Sequence, residues 1–132
     1  MRFTTIVAYL AHPLAGDMPG NAARGVRWLA HLQRAEPDIA FVAPWLAYVH
    51  AGDDNSPRAR LRGLRDMTAI AARCDGIVLV GGRISDGMRL ELEAVRSAGG
   101  WVSDLTAYGE EPPDSAPVPR VLIAAGRSRG AP

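Results

Sequence analysis

A chain of 132 residues that is 48% hydrophobic fits one compact domain with an adequate core. Formal net charge is +1 and all 15 basic residues are arginine, which excludes lysine Schiff-base chemistry and the lysine of a Walker phosphate loop. Scattered arginines at near-neutral charge leave no footprint for nucleic acid, and the single cysteine, Cys74, excludes an internal disulfide and a multi-thiolate metal site.

The opening residues run into a strand without a signal pattern, and no apolar run reaches the length of a membrane span. A cytoplasmic protein without membrane partners is the expectation. Residues 3–11, rich in β-branched and aromatic side chains, read as a first strand. His12 to Asp17 form a loop, because Pro13 and Gly16 break any period. Gly20 and Asn21 open a helix to about Arg34, with Asn21 as its cap and Ala22, Val26, Leu29 and Ala30 as its apolar stripe. Residues 38–43 read as a second short buried strand.

Residues 44–57 read as a long connection holding Trp45, Tyr48, His50 and the polar run at 52–55. From 58 to 73 the period is helical, with Leu61, Leu64, Met67, Ala71 and Cys74 inward. Residues 76–80 (GIVLV) are a buried central strand closed by Gly81 and Gly82, and a helix opens at the Ser85 cap. Residues 101–105 make a fourth strand. The acidic, proline-rich stretch 109–119 reads as an exposed linker, 120–125 as a fifth strand and 126–132 as a frayed tail. Strands alternating with helices imply an α/β domain, Rossmann-like (flavodoxin-like), with three layers and a mostly parallel five-stranded sheet. In such sheets ligands bind at the carboxyl ends of the strands, where the strand order reverses.

On a helical period, residues 88, 91, 92, 95, 98 and 99 share one face. Met88, Leu92, Val95, Ala98 and Gly99 suit a core; Glu91 does not. A carboxylate on an inward stripe is either paired, here with Arg89 or Arg65, or employed in chemistry. Ser85, Asp86 and Gly87 would hold an anion at a helix start, or simply cap it. Asp66 lies off the apolar stripe and is accounted for by a surface pair with Arg62 four residues earlier. Tyr9 points into the core or into the crevice. Trp45 and Tyr48 either stack on a base or cover the sheet edge. His12, His31 and His50 lack metal-ligand spacing, so no metal and no redox cofactor is expected.

With these residues laid out, the chain resembles the nucleoside 2-deoxyribosyltransferase superfamily, which includes deoxynucleoside-monophosphate N-glycosidases and short phage-type members of unassigned function. The likeness runs from Ile6 to Val102. It is carried by Tyr9-Leu10-Ala11-His12-Pro13-Leu14-Ala15-Gly16-Asp17, by Asn21 with Ala23, by Pro44, by Arg65-Asp66 ahead of Cys74-Asp75, and by Ser85-x-Gly87-x-x-x-Glu91. The resemblance implies that Glu91 is a nucleophile attacking the anomeric carbon of a (deoxy)ribosyl group, that Tyr9 orients it and that Asp66 protonates the departing base. It further implies that Ser85 and Gly87 hold the 5′ end of the substrate and that Pro13, Gly16, Asp17 and Asn21 line it. A nucleoside or nucleoside 5′-monophosphate is the expected substrate, and a homodimer or higher homo-oligomer the expected assembly. The competing expectations are a domain that senses a nucleotide without turnover and a structural subunit that binds none.

Overall fold

The computed structural model describes residues 5–51 and 56–113. The elements run β1 (Ile6–Ala11), α1 (Met18–Ala35), β2 (Ile39–Val42), α2 (Pro44–Ala51), α3 (Pro57–Ala71), β3 (Gly76–Leu79), α4 (Asp86–Ser97) and β4 (Trp101–Asp104). The strands form one parallel sheet of 4 strands in the order β2-β1-β3-β4, flanked by the helices. The α/β class and the parallel sheet are as expected. The expected fifth strand at 120–125, the tail at 126–132, the polar run at 52–55 and the linker beyond residue 113 lie outside the described residues.

The two inner strands explain the core. All four residues of β3 are buried, as are Ala8 to Ala11 of β1, because each strand has a neighbour on both edges and helices over its faces. Asp75 pins their register from below: its backbone N–H donates to the Val7 carbonyl (2.8 Å), and its carboxylate accepts from Val7 N (2.8 Å). On β3, Gly76 lies opposite Trp101 of β4, and a Cβ there would come within 2.0 Å of the indole ring. The ring therefore lies over the glycine and fills its missing side chain. Gly76→Ala is expected to destabilise the domain by about 1–3 kcal/mol through overpacking, read as a lower urea midpoint with unchanged slope.

The structure corrects several helix expectations. The α1 cap is Asp17, whose carboxylate accepts from Gly20 N (3.2 Å), and not Asn21; Pro19 sits in the first turn, where its missing N–H is harmless. Its buried face is Asn21, Ala22, Gly25, Trp28 and Leu32, so the expected stripe is rotated and Val26 is 45% exposed. Gly25 sets that phase by admitting the Trp45 ring, whose edge lies 2.3 Å from where a Cβ would stand. Residues 44–57 are not an open connection, since α2 occupies their first half. Apart from His50 its sequence, PWLAYVHA, is apolar or aromatic throughout, so no polar face gives a period that announces it. In α3 the Tyr48 ring packs onto Gly63, and the helix turns Leu61 outward to 71% exposure instead of inward. The start of the acidic stretch is docked on α1: Trp28 Nε1 donates to the Glu110 carbonyl (2.8 Å), and Arg27 pairs with Glu111.

The chain leaves β1 toward β2 on one side and β3 toward β4 on the other. The connections diverge above the carboxyl ends of β1 and β3, which opens a crevice there.

Candidate active site

β1 and α4 bring the two central groups together. Tyr9, on the innermost stretch of β1, is fully buried, and its hydroxyl donates to a Glu91 carboxylate oxygen across 82 residues of sequence. Glu91 is 7% exposed, and among the described residues no arginine pairs with it; Arg65, a candidate partner from sequence, pairs with Asp66 instead. Burial pushes the Glu91 carboxyl up to about 7, against the opposing pull of the Tyr9 hydrogen bond. The Tyr9 phenol is raised far above its ordinary value, first by burial and then by the charge of Glu91. It remains a donor at every working pH, and this fixes the direction of the bond.

Ser85 caps α4 as the sequence suggests, its Oγ accepting from Met88 N (3.2 Å), while Asp86 sits in the first turn. The hydroxyl proton of Ser85 is then free to donate outward. The turn before it uses Gly81 and Gly82 at φ 101 and 85. Gly81 is also a close approach, because a Cβ there would stand 2.7 Å from Pro13 Cδ and 2.8 Å from His12 Nε2. The first and third loops thus interlock at the sheet edge.

Between them lies a cavity of about 400 Å³. His12, Leu14, Ala15 and Met18 wall it from the first loop and α1; Trp45 and Tyr48 from α2; Arg60, Gly63, Leu64 and Met67 from α3. Arg83, Ser85, Asp86, Gly87, Met88 and Glu91 close it from the β3–α4 side. Its volume suits a small, flat, mostly apolar ligand with a few polar anchors. A larger hollow of about 670 Å³ between Arg58, Ala59, Leu61, Arg62 and Arg65 is an open gap among solvated side chains of α3, with no buried polar group in it. Among the described residues no cluster of His, Cys, Asp and Glu could hold a metal ion, and no helix is long and apolar enough to cross a membrane.

The description of a domain of unknown function, DUF7768, matches residues 6–103, which contain the whole sheet and every wall of the cavity. The chain belongs to the DUF7768 family. No curated protein matches it.

Within this DUF7768 domain, Glu91, Ser85 and Gly87 meet at the cavity, and Tyr9 stands behind Glu91. Pro13, Gly16, Asp17 and Asn21 shape the first loop without themselves lining the space. Pro13 is packed, Gly16 takes φ 102, and Asn21 Nδ2 donates to the carbonyls of Leu14 (3.0 Å) and Ala15 (3.3 Å). Asp66 is not brought there: its carboxylate lies against Arg62 (3.6 Å) and Arg65 (3.2 Å) on the exposed side of α3, as its spacing from Arg62 suggests. Cys74 is a buried thiol with Sγ directed at the Ile70 carbonyl (3.5 Å), a packed group and not a nucleophile.

His12, to which its spacing assigns no metal role, is 4% exposed and walls the cavity. Its Nδ1 lies 2.7 Å from the Pro13 carbonyl, so Nδ1 carries the proton and Nε2 is an acceptor with no partner among the described residues. Burial lowers its pKa and keeps the ring neutral. Its position directly after β1 was the available signal. Trp45 and Tyr48 both wall the cavity, and each is anchored to backbone, donating to Leu10 O (2.7 Å) and Ala59 O (2.6 Å).

Proposed function

We propose that this domain is an enzyme that breaks, or transfers at, the N-glycosidic bond of a nucleoside or nucleoside 5′-monophosphate, with Glu91 as the nucleophile. The observation that carries the reading is a buried glutamate held by a tyrosine hydroxyl at the wall of a nucleoside-sized cavity. A carboxylate Oε attacks the anomeric carbon, the carbon–nitrogen bond breaks, and the base departs with the electron pair and takes a proton from water. The resulting glycosyl ester is then cleaved by water or by a second base, which restores the carboxylate. Tyr9 positions one oxygen so that the other faces the sugar. Asp66 has no part in this scheme, because its carboxylate is engaged with Arg62 and Arg65. The same reading makes the fold Rossmann-like with three layers, adds a fifth strand from 120–125, and pairs the domain with a second copy.

The test is direct. Incubation with a panel of nucleosides and 5′-monophosphates releases free base, and rapid quenching traps a glycosyl adduct on the peptide containing Glu91. Absence of base from every substrate overturns the catalytic reading. A nucleotide-sensing role would then stand in its place, favoured by the lack of a second buried carboxyl at the cavity, where Asp86 is exposed.

Two further outcomes follow from the Tyr9–Glu91 bond. Only the ionised carboxylate attacks, so kcat/KM of the free enzyme rises with pH through about 7 and levels off above it. Tyr9→Phe removes a hydrogen bond that favours the charged form, so its activity limb moves to higher pH. The loss of a charge-assisted bond also lowers the plateau roughly 10- to 100-fold. A pH–rate series on both proteins checks the two effects together.

A further inference from the structure

The turn between β3 and α4, which supplies one wall of the cavity, has little to hold it from within. None of residues 81–84 makes a hydrogen bond among the described residues. The last bond before them is Val80 N to Ala11 O (3.1 Å), and the next is Ser85 N to Met88 Sδ (3.4 Å). Two neighbours grip the turn instead. Gly81 packs on Pro13 and His12 of the first loop. Gly82 lies against the chain that follows β4: a Cβ on it would stand 3.1 Å from Glu110 Cγ and 3.2 Å from Glu110 N. A glycine is what lets that backbone come so close.

Residues 109–111 reach this position as a strap. They leave a short 3-10 helix, Thr106–Tyr108, turn at Gly109 with φ 96, and cross to α1. Two contacts fasten them there. Trp28 Nε1 donates to the Glu110 carbonyl (2.8 Å), and Arg27 Nε and Nη2 donate to Glu111 Oε1 and Oε2 (2.8 Å each). Trp28 is fully buried, so its bond is a fixed pin. The ion pair differs in kind. Both of its side chains are about half exposed, where salt screens the attraction and opening costs little. Glu111 is also near enough to His12 for its charge to act on that ring, so the releasable fastening stands close to the cavity.

We propose that residues 109–111 are a releasable strap, latched by the Arg27–Glu111 pair, that presses on Gly82 and so holds closed the cavity wall from Arg83 to Gly87. When the latch opens, Gly82 loses its outer support, the Ser85 cap loosens and the wall gives way. The device belongs to the fold and stands whether or not the cavity cleaves a nucleoside. Its test is hydrogen exchange of single amides, followed by NMR on the whole chain. Ser85 N and Met88 N, both bonded within the α4 cap, report on the turn, and the amides of β1 and β3 report on the core. Arg27→Ala removes a half-exposed side chain, and it is expected to speed exchange at Ser85 and Met88 about two- to fivefold while β1 and β3 stay unchanged. Salt at about 1 M should do the same to the wild type and add little to the variant. The charge swap, Arg27→Glu with Glu111→Arg, should return the two amides to their original rate. Unchanged exchange at Ser85 and Met88 in Arg27→Ala overturns the proposal, and so does an equal rise in β1 and β3, which would make the strap an ordinary part of the core. A swap that exchanges as fast as Arg27→Ala overturns the latch.

Discussion

Glu91→Gln is expected to abolish base release and to make the folded protein more stable at neutral pH. The amide cannot attack carbon, and loss of a nucleophile costs roughly 1,000-fold or more in kcat. The stability effect has the opposite sign. Burial holds the folded-state pKa of Glu91 at about 7 against an ordinary 4.5, so the folded protein keeps a proton that the unfolded chain has already given up. The stability tied to that proton is full below pH 4.5, falls as pH rises toward 7 and is gone above it. Each unit of difference is worth about 1.4 kcal/mol, so the loss amounts to about 3 kcal/mol. Glutamine has nothing to titrate and still accepts from Tyr9. Urea unfolding of both proteins across this pH range should show curves that coincide in acid and separate on the alkaline side. A variant that is inactive yet no more stable at pH 8 would mean that Glu91 is already well solvated when charged, and the proposed nucleophile would lose its physical basis.

Trp45→Ala should produce the largest loss of stability among the cavity residues, about 3–5 kcal/mol. The indole is 3% exposed and fills the notch left by Gly25 on α1. It also completes the sheet. Val7 and Ala11 direct their carbonyls to the β3 side, to Asp75 N and Val80 N, so by alternation Leu10 points its carbonyl toward β2. β2 ends at Val42, opposite Tyr9, and no strand reaches Leu10 from that side. Trp45 Nε1 meets this carbonyl at 2.7 Å. Truncation therefore opens a void and strands a buried acceptor. Trp45→Phe should recover most of the packing but not the hydrogen bond, and so fall between the two. Equal destabilisation by Ala and Phe would assign the whole effect to the bond. With a total stability of about 5–15 kcal/mol for such a domain, the alanine variant should also lose substrate affinity as the wall beside His12 collapses.

Much of this site could be read before any coordinates. The GIVLV run, the glycine turn and the Ser85 cap are local features, each decided by a few neighbouring residues, and all stand where expected. Glu91 was singled out by helical period alone, and it is buried. The differences share one physical origin. Polarity alone predicts one phase for α1 and α3, whereas Gly25 and Gly63 set another by receiving Trp45 and Tyr48 from another helix. α2 has no signature in the sequence because a helix with apolar residues on all sides carries no periodic contrast.

The sequence by itself determined the alternation of strands and helices, the buried central strand, and the presence of one carboxyl group on an apolar face. These depend on patterns a few residues long, where polarity and backbone preference act locally. Only the tertiary structure decided that the partner of Glu91 is Tyr9 and not an arginine, and that His12, Arg60 and Arg83 share its cavity. Those facts depend on which strands become neighbours, and a hydrogen bond spanning 82 residues leaves no trace in the spacing of either end.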